Sequence, residues 1–487
     1  MQSHTLDLRN WVVGDVSRMV TTTGMRRKPP TDHDSEVTTG MRRTASNRPR
    51  RVRITGLTGV ALLGLVACGG GATGAGPDHE PVSVAPESTA SASPERPLSL
   101  SGVASSTLDP AGFGMHVLQI AEEDWPDVPV GSIRVWNGDS TWGALEPSPG
   151  SWDFARLDQR VAQAESRGAP VLLVLSHPPA WAATRPDLQG YQGSPSPPTS
   201  NATWQTYVRT VVERYAGRIE AYEIWNEPNL TQFYAGTPQR LAELTELASA
   251  EIRAADPEAL VVSAGFSART AGSQPFFTTY VNAMTPESID VVGIHIYPYP
   301  GDGPESMVTL ADTFRSLADT AGFGGKPMWN TEIGYGRAPD QVFAGDSAAS
   351  LILRTYLVLP AAGVARNYWY MWDDRQFIGL FLVEADRSTE TPAAYAYADA
   401  QRWLTGASIV ECGDRGDGLW TCQLRKDGQV VTVAWKLGAP GSFTVPDGTT
   451  VAYRFTGDPV AAEAGATVEL GELPVLYAPV EIPSLVG

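Results

Sequence analysis

The chain has 487 residues, a formal net charge of −18 and 42% hydrophobic residues, with 14 Trp and 16 Tyr. It is longer than one average domain, although a (β/α)8 barrel alone takes ~250 residues. The acidic balance argues against nucleic acid as a partner, because phosphate binding needs clustered Lys and Arg.

The acidity is uneven. Residues 1–67 hold 11 Lys+Arg and 5 Asp+Glu, a net of +6 that leaves −24 on the rest. A basic head on an acidic body suggests a targeting segment. Residues 20–27 nearly repeat in 37–43, and Met25 and Met41 each precede Arg-Arg, so translation is expected to begin at either. Arg50, Arg51 and Arg53 then lead into an apolar run over 54–67. That run falls short of the ~20 residues a spanning helix needs and fits the h-region of a signal peptide. It ends Leu65-Val66-Ala67-Cys68-Gly69, which resembles the lipobox of bacterial lipoproteins. The resemblance implies that Cys68 becomes the lipid-bearing first residue of the mature protein; the alternative is a cysteine at the end of an ordinary signal peptide. Residues 69–74 satisfy G-x-G-x-x-G but follow no βαβ strand, so they mark no dinucleotide site. Residues 68–106, rich in Gly, Ala, Pro and Ser, are expected to form a flexible tether.

From residue 111 short apolar runs alternate with amphipathic segments. Strands are expected over 112–117, 132–136, 171–176, 219–225, 260–265, 289–297, 327–332 and 365–371. Trp204, Tyr207, Val208, Val211, Val212 and Tyr215 mark one face of a helix, and Thr237-Pro238 opens another. Eight strands with helices between them predict an α/β fold, a closed (β/α)8 TIM barrel over 107–405. The connection after the first strand is short, so its helix is expected to be vestigial. Beyond the last helix the pattern becomes strands over 430–435, 451–455, 467–470 and 475–477 with turns between, predicting a small C-terminal β-sandwich over 406–487. Cys412 and Cys422 lie at its start, and an exported chain favours a disulfide between them.

Two strand ends carry chemistry. Tyr222-Glu223-Ile224-Trp225-Asn226-Glu227-Pro228 takes an apolar strand abruptly into Asn-Glu-Pro, and proline biases the residue before it toward an extended backbone. Trp329-Asn330-Thr331-Glu332 ends the seventh strand. In a parallel barrel the carboxyl ends of the strands are where catalytic groups sit. Glu227 alone also reads, less favourably, as a glutamate that caps the next helix, and a single His is more often structural than catalytic. Carboxyls about 5–5.5 Å apart suit a retaining glycosidase, and about 6.5–9.5 Å an inverting one. The scattered histidines and cysteines give no metal spacing, and no Gly-x-Ser-x-Gly elbow is present.

Over roughly 112–404 this pattern resembles clan A glycoside hydrolases, and within them family 39 and its bacterial relatives. The resemblance implies that Glu227 is the acid/base and Glu332 the nucleophile. It implies further that Arg134 supports the nucleophile and that Asn226 bonds the sugar's 2-hydroxyl. His177, His295 and Tyr297 line the sugar site, with Trp372, rather than Trp369, as its floor. Trp142, Glu146-Pro147, Gly150 and Trp152-Asp153-Phe154 resemble another stretch common in that clan. Ile219-Glu220-Ala221-Tyr222-Glu223 departs from the family 39 pattern. Independently, Arg134 and Tyr297 can keep Glu332 ionised, while Glu227, poorer in cationic neighbours, keeps a raised pKa. Trp181, Trp225 and Trp329 are either sugar platforms or barrel filler.

The expectation is an exported retaining glycosidase without metal or cofactor, acting on a carbohydrate. It would be lipid-anchored on the outer face of a bacterial cell membrane, or secreted. The loop 182–200 is expected to border the leaving-group side and to help set specificity. The competing readings are a glycan-binding lipoprotein without turnover and a transglycosylase using the same two glutamates.

Overall fold

The computed structural model describes residues 99–101, 107–118, 125–136, 138–337, 340–372, 375 and 377–485. The expected signal segment, Cys68 and most of the expected tether lie outside them. Among the described residues no helix is long and apolar enough to cross a membrane.

The parallel strands are β1 (Phe113–Met115), β2 (Ser132–Val135), β3 (Val171–Leu175), β4 (Ala221–Ile224), β5 (Leu260–Val262), β6 (Val292–His295), β7 (Met328–Ile333) and β8 (Val364–Trp369). Each pairs with its sequence neighbour, and β8 returns to β1. Closure between β5 and β6 takes a different form. β5 lies on β4, breaks, and resumes as Phe266–Ser267 on β6, with Val262 bridging Val291 at the seam. Gly265 lies at the break. A Cβ there would stand 2.3 Å from His295 Nε2 and 2.4 Å from a Glu223 oxygen, so only glycine lets those side chains fill the lumen.

Alternation along the strands separates two cores. Val171, Leu173 and Leu175 of β3 face the helices and join the main core. Leu172 points the other way, into a separate cluster with Ala221, Val262, Val291, Trp329 and Tyr368 that plugs the lower lumen.

The helices are α1 (Trp142–Leu145), α2 (Ala155–Ser166), α3 (Asn201–Tyr215), α4 (Pro238–Ala255), α5 (Ser273–Val281), α6 (Met307–Ala318), α7 (Gly345–Ala361) and α8 (Pro392–Leu404). α3 buries Trp204, Tyr207, Val208, Val211, Val212 and Tyr215, and the Ser200 hydroxyl caps it by accepting from the Thr203 amide. Thr237 caps α4 in the same way, with Pro238 at its first position. Among the described residues no helix lies between β1 and β2.

The C-terminal strands are β9 (Ser408–Asp414), β10 (Leu419–Lys426), β11 (Gln429–Lys436), β12 (Gly441–Thr444), β13 (Val451–Tyr453), β14 (Val460–Ala461), β15 (Thr467–Leu470) and β16 (Val475–Ala478). One antiparallel sheet runs β9-β10-β11-β16-β13-β14, and β12 pairs with β15 in a separate ribbon. Phe443, Val445 and Leu470 pack with Ala434, Ala452, Val475 and Tyr477 in a small core of their own. Cys412, Trp420, Cys422 and Leu424 instead join the main core with Trp403 and Leu404 of α8. Cys412 and Cys422 are register partners on β9 and β10 and are disulfide-bonded, with Cα atoms 4.0 Å apart.

Two expectations need correction. β9 and β10 were not expected as strands, although β10 buries Trp420, Cys422, Leu424 and Lys426 in strict alternation. Lys426 breaks the apolar pattern because its ammonium donates to the carbonyls of Arg402 and Thr405 at the end of α8. The expected tether also ends early: Ser99–Ser101 forms a strand antiparallel to β9. Its pairing supplies partners to main-chain groups on the edge of β9, which needs no hydrophobic pattern in the added strand.

Candidate functional site

Above the apolar plug, the same strands point charged side chains inward. Arg134 on β2 is fully buried and donates three ways. Its Nε meets Glu223 Oε2 at 2.6 Å, Nη1 meets Glu332 Oε2 at 3.1 Å, and Nη2 meets Asn226 Oδ1 at 2.9 Å. The Thr331 hydroxyl donates to the other Glu223 oxygen at 2.9 Å, so that buried carboxylate has partners on both oxygens. His116, buried at the end of β1, reaches the Thr331 carbonyl oxygen at 3.0 Å through Nε2.

The two expected catalytic carboxyls stand on this layer, each only 8% exposed. Tyr297 OH donates to Glu332 Oε1 at 2.8 Å. His295 Nδ1 lies 3.1 Å from Glu227 Oε1 and 4.0 Å from Glu332 Oε1. One oxygen of each glutamate and one nitrogen of His295 all fall within 4.8 Å of one another.

Burial dominates the electrostatics. It pushes Glu227 up to about 7, against the lowering fields of Arg134 and Arg269. It also raises Glu332, where His295, Arg134 and the Tyr297 hydroxyl pull the other way and the Glu227 charge adds to the rise. His295 is pushed down to about 4 by burial, so its imidazole is neutral at pH 7.

The backbone here is unusual. His177, Trp225 and Glu227 have φ of 53°, 78° and 40°. The extended backbone expected of Glu227 before Pro228 is therefore not what forms. Its amide donates to the Gly265 carbonyl at 2.8 Å and its carbonyl accepts from the Leu230 amide at 2.9 Å, so tertiary pairing overrides the local preference. Non-glycine residues in this region carry strain of about 1–3 kcal/mol each, which clusters at functional sites.

Arg134, Asn226, His295 and Tyr297 thus converge with Glu227 and Glu332. His177 stands apart. It is fully buried, its Nδ1 lies 2.9 Å from Ser176 Oγ, its ring stacks on Trp225 at 5.7 Å, and burial pushes it down to about 3. Trp372 is 6% exposed and its amide donates to the His116 carbonyl; Trp369 is fully buried against Tyr335. Trp225 and Trp329 are barrel filler, while half-buried Trp181 packs edge-on to Trp142. Glu146 is structural, accepting from Trp142 Nε1 and the Gly150 amide at 2.8 Å each.

The sequence reading missed Glu223 and Arg269. Glu223 had a signal: a charged residue at an inward position of an apolar strand, four before Glu227. Arg269 had none, since its approach to Glu227 depends on the broken fifth strand, and it makes Glu227 less poor in cationic neighbours than expected. Spacing also could not reveal that Glu227, His295 and Glu332, from three strands, form a donor set able to hold a metal. A cation bound there would face the Arg134 guanidinium, which already bonds Glu332, so fixed positive charge opposes that use.

The family model for cellulase, glycosyl hydrolase family 5, matches residues 132–375. A β-xylosidase from Geobacillus stearothermophilus is 25% identical over 284 residues, 51% of this chain, and the chain spans about half (54%) of that relative's length. Among solved structures, a glucosidase from Croceicoccus marinus has a TM-score of 0.57 at 15% identity, covering 76% of this chain and 97% of its own. A family 39 β-xylosidase from Caulobacter crescentus has a TM-score of 0.56 at 16% identity, covering 78% and 97%.

Proposed function

The chain belongs to the cellulase family, glycosyl hydrolase family 5, and on that premise we propose that it is a retaining glycosidase acting by double displacement through Glu332 and Glu227. The observation that carries this reading is that one oxygen of each carboxyl lies within 4.8 Å of an oxygen of the other. That approach favours the short carboxyl separation of a retaining enzyme over the wider gap of an inverting one.

In the first step a Glu332 oxygen attacks the anomeric carbon, the glycosidic C–O bond breaks, and Glu227 gives its proton to the leaving oxygen. In the second, Glu227, now ionised, takes a proton from water. The water oxygen bonds the anomeric carbon and the ester to Glu332 breaks, restoring both groups. A carboxyl held near 7 is a ready proton donor at neutral pH. Arg134 and Tyr297 spread the charge of the nucleophile, and the amide nitrogen of Asn226 suits a sugar hydroxyl, since its oxygen is held by Arg134. The names of the similar proteins favour a β-linked oligosaccharide or polysaccharide containing xylose or glucose.

Reducing-sugar release from a panel of xylans, β-glucans and their oligosaccharides tests the reading, with Glu332→Gln as control. Release abolished by that substitution supports it. Tight oligosaccharide binding with no release, unaffected by Glu332→Gln, would replace it with the glycan-binding reading. In the active enzyme kcat is expected to fall as pH rises through about 7, because the acid loses its proton.

The order of basic flank, apolar run and Cys68 supports export and lipid anchoring outside the bacterial cell membrane. Cys68→Ser is expected to move the protein from the membrane to the soluble fraction. A mature native chain whose first residue is not Cys68 would sink this part.

A further inference from the structure

The loop between β3 and α3 turns back at Gly190-Tyr191-Gln192-Gly193. Gly190 and Gly193 exchange two main-chain hydrogen bonds, at 2.8 and 2.7 Å, and the residues between them have φ of 28° and 58°. This is a two-residue hairpin turn with both central residues at positive φ, a geometry that Asn-Gly or Gly-Gly normally fills. An aromatic residue is strained there. The turn is also pinned. The Thr141 hydroxyl donates to the Gln192 carbonyl at 3.0 Å, and a Cβ on Gly193 would stand 2.3 Å from the His177 carbonyl oxygen.

The pinned turn displays Tyr191 at the mouth of the barrel. Its ring stacks on Phe233 at 5.2 Å and stands edge-on to His177 at 6.1 Å and tilted to Trp136 at 5.6 Å. His177 and Trp136 are buried, whereas Tyr191 and Phe233 are half-buried, so the pair keeps surface open to solvent. The phenol feels both Glu227 and Glu332, whose charges add to burial in pushing it up to about 12. A partly exposed aromatic ring at the rim of a cluster of polar groups is what an apolar sugar face stacks on.

Resting on the glycosidase reading, we propose that Tyr191 is a substrate-contacting specificity residue, its ring a stacking platform for a sugar held beside Glu227 and Glu332. The competing account is that the ring is packing alone, and the strained backbone separates the two. Tyr191→Gly removes the ring while suiting the left-handed backbone. The platform predicts an unchanged or higher Tm in the full chain, with kcat/KM on oligosaccharides down about five- to tenfold. Tyr191→Phe, which keeps the ring, should stay within about twofold of native. A lower Tm with unchanged kcat/KM in the Tyr191→Gly variant would overturn the inference.

Calorimetric binding of xylotriose and cellotriose to Glu332→Gln, with and without Tyr191→Gly, reads the platform apart from turnover. Binding weakened by Tyr191→Gly in a chain without native turnover would keep the platform and remove the glycosidase reading. Native turnover with neither kcat/KM nor binding changed would remove the platform alone. Absence of both turnover and binding for these sugars would remove both.

Discussion

The floor and the mouth of the barrel are built by the same strands, and they differ in almost every other respect. On β4, Ala221 belongs to the apolar plug and Glu223, two residues on, holds the buried guanidinium. On β7, Trp329 is in the plug and Thr331 donates to Glu223. One step of strand periodicity therefore separates a hydrocarbon core from an ion network. Backbone strain follows the same division: among the described residues His177, Trp225 and Glu227 at the mouth have positive φ, and no residue of the plug does. Packing at the floor stabilises the closed sheet, which lets the mouth hold charges and dihedrals that are unfavourable on their own.

Substitutions at matched depths can break this division. The largest effect is expected at the mouth. On the proposed double displacement, Glu332→Gln should lower kcat by at least ~10⁴-fold, because no other group would take over the covalent bond, with little change in Tm. One layer down, Arg134→Met should fail on both counts. It leaves Glu223 buried without its cation, a loss of about 3–5 kcal/mol, and removes a hydrogen bond from Glu332. Urea denaturation would measure the first and the residual rate the second. At the floor, Leu172→Ala should cost about 2–4 kcal/mol through the cavity it leaves, while kcat/KM stays within about twofold well below the transition. A floor substitution that abolished activity in a folded chain would show that the two ends are not separable.

Periodicity made the division partly legible in the sequence. Eight apolar runs mark the strands, and the polar residues that end them include the groups that converge at the mouth. What stayed hidden depends on contacts across the barrel. The break in β5 follows from Gly265, whose need becomes visible only once His295 and Glu223 are seen to fill the space of its missing Cβ. The positive φ at Glu227 opposes the local preference of a residue before proline, and pairing with Gly265 decides it. Ser99–Ser101 joins β9 through main-chain groups, which no side-chain pattern announces. Tyr191 sits in a Pro/Gly/Ser-rich loop whose composition predicts a turn but not the strained one that presents its ring.

The smallest effect expected sharpens the comparison most, because it sets chemistry against stability at one residue. Burial raises Glu227 from 4.5 to about 7, so folding favours its protonated form. Below pH 4.5 both the folded and unfolded chains carry that proton, and the contribution is fully present. Between 4.5 and about 7 the unfolded chain releases the proton while the folded chain keeps it, so stability falls as pH rises; above 7 both are ionised and the loss is complete. A shift of that size corresponds to at most ~3 kcal/mol, and about 2 kcal/mol is expected once the remaining exposure of the side chain is counted. Glu227→Gln cannot titrate. It should therefore be more stable than the native chain at pH 8 and indistinguishable from it at pH 4, while kcat on substrates with poor leaving groups falls by about 10²–10⁴. Denaturation midpoints at the two pH values measure this directly. Equal stability of the two proteins at pH 8 would mean that the ionised carboxylate is well solvated in the fold, and that its suitability as an acid comes from somewhere other than burial.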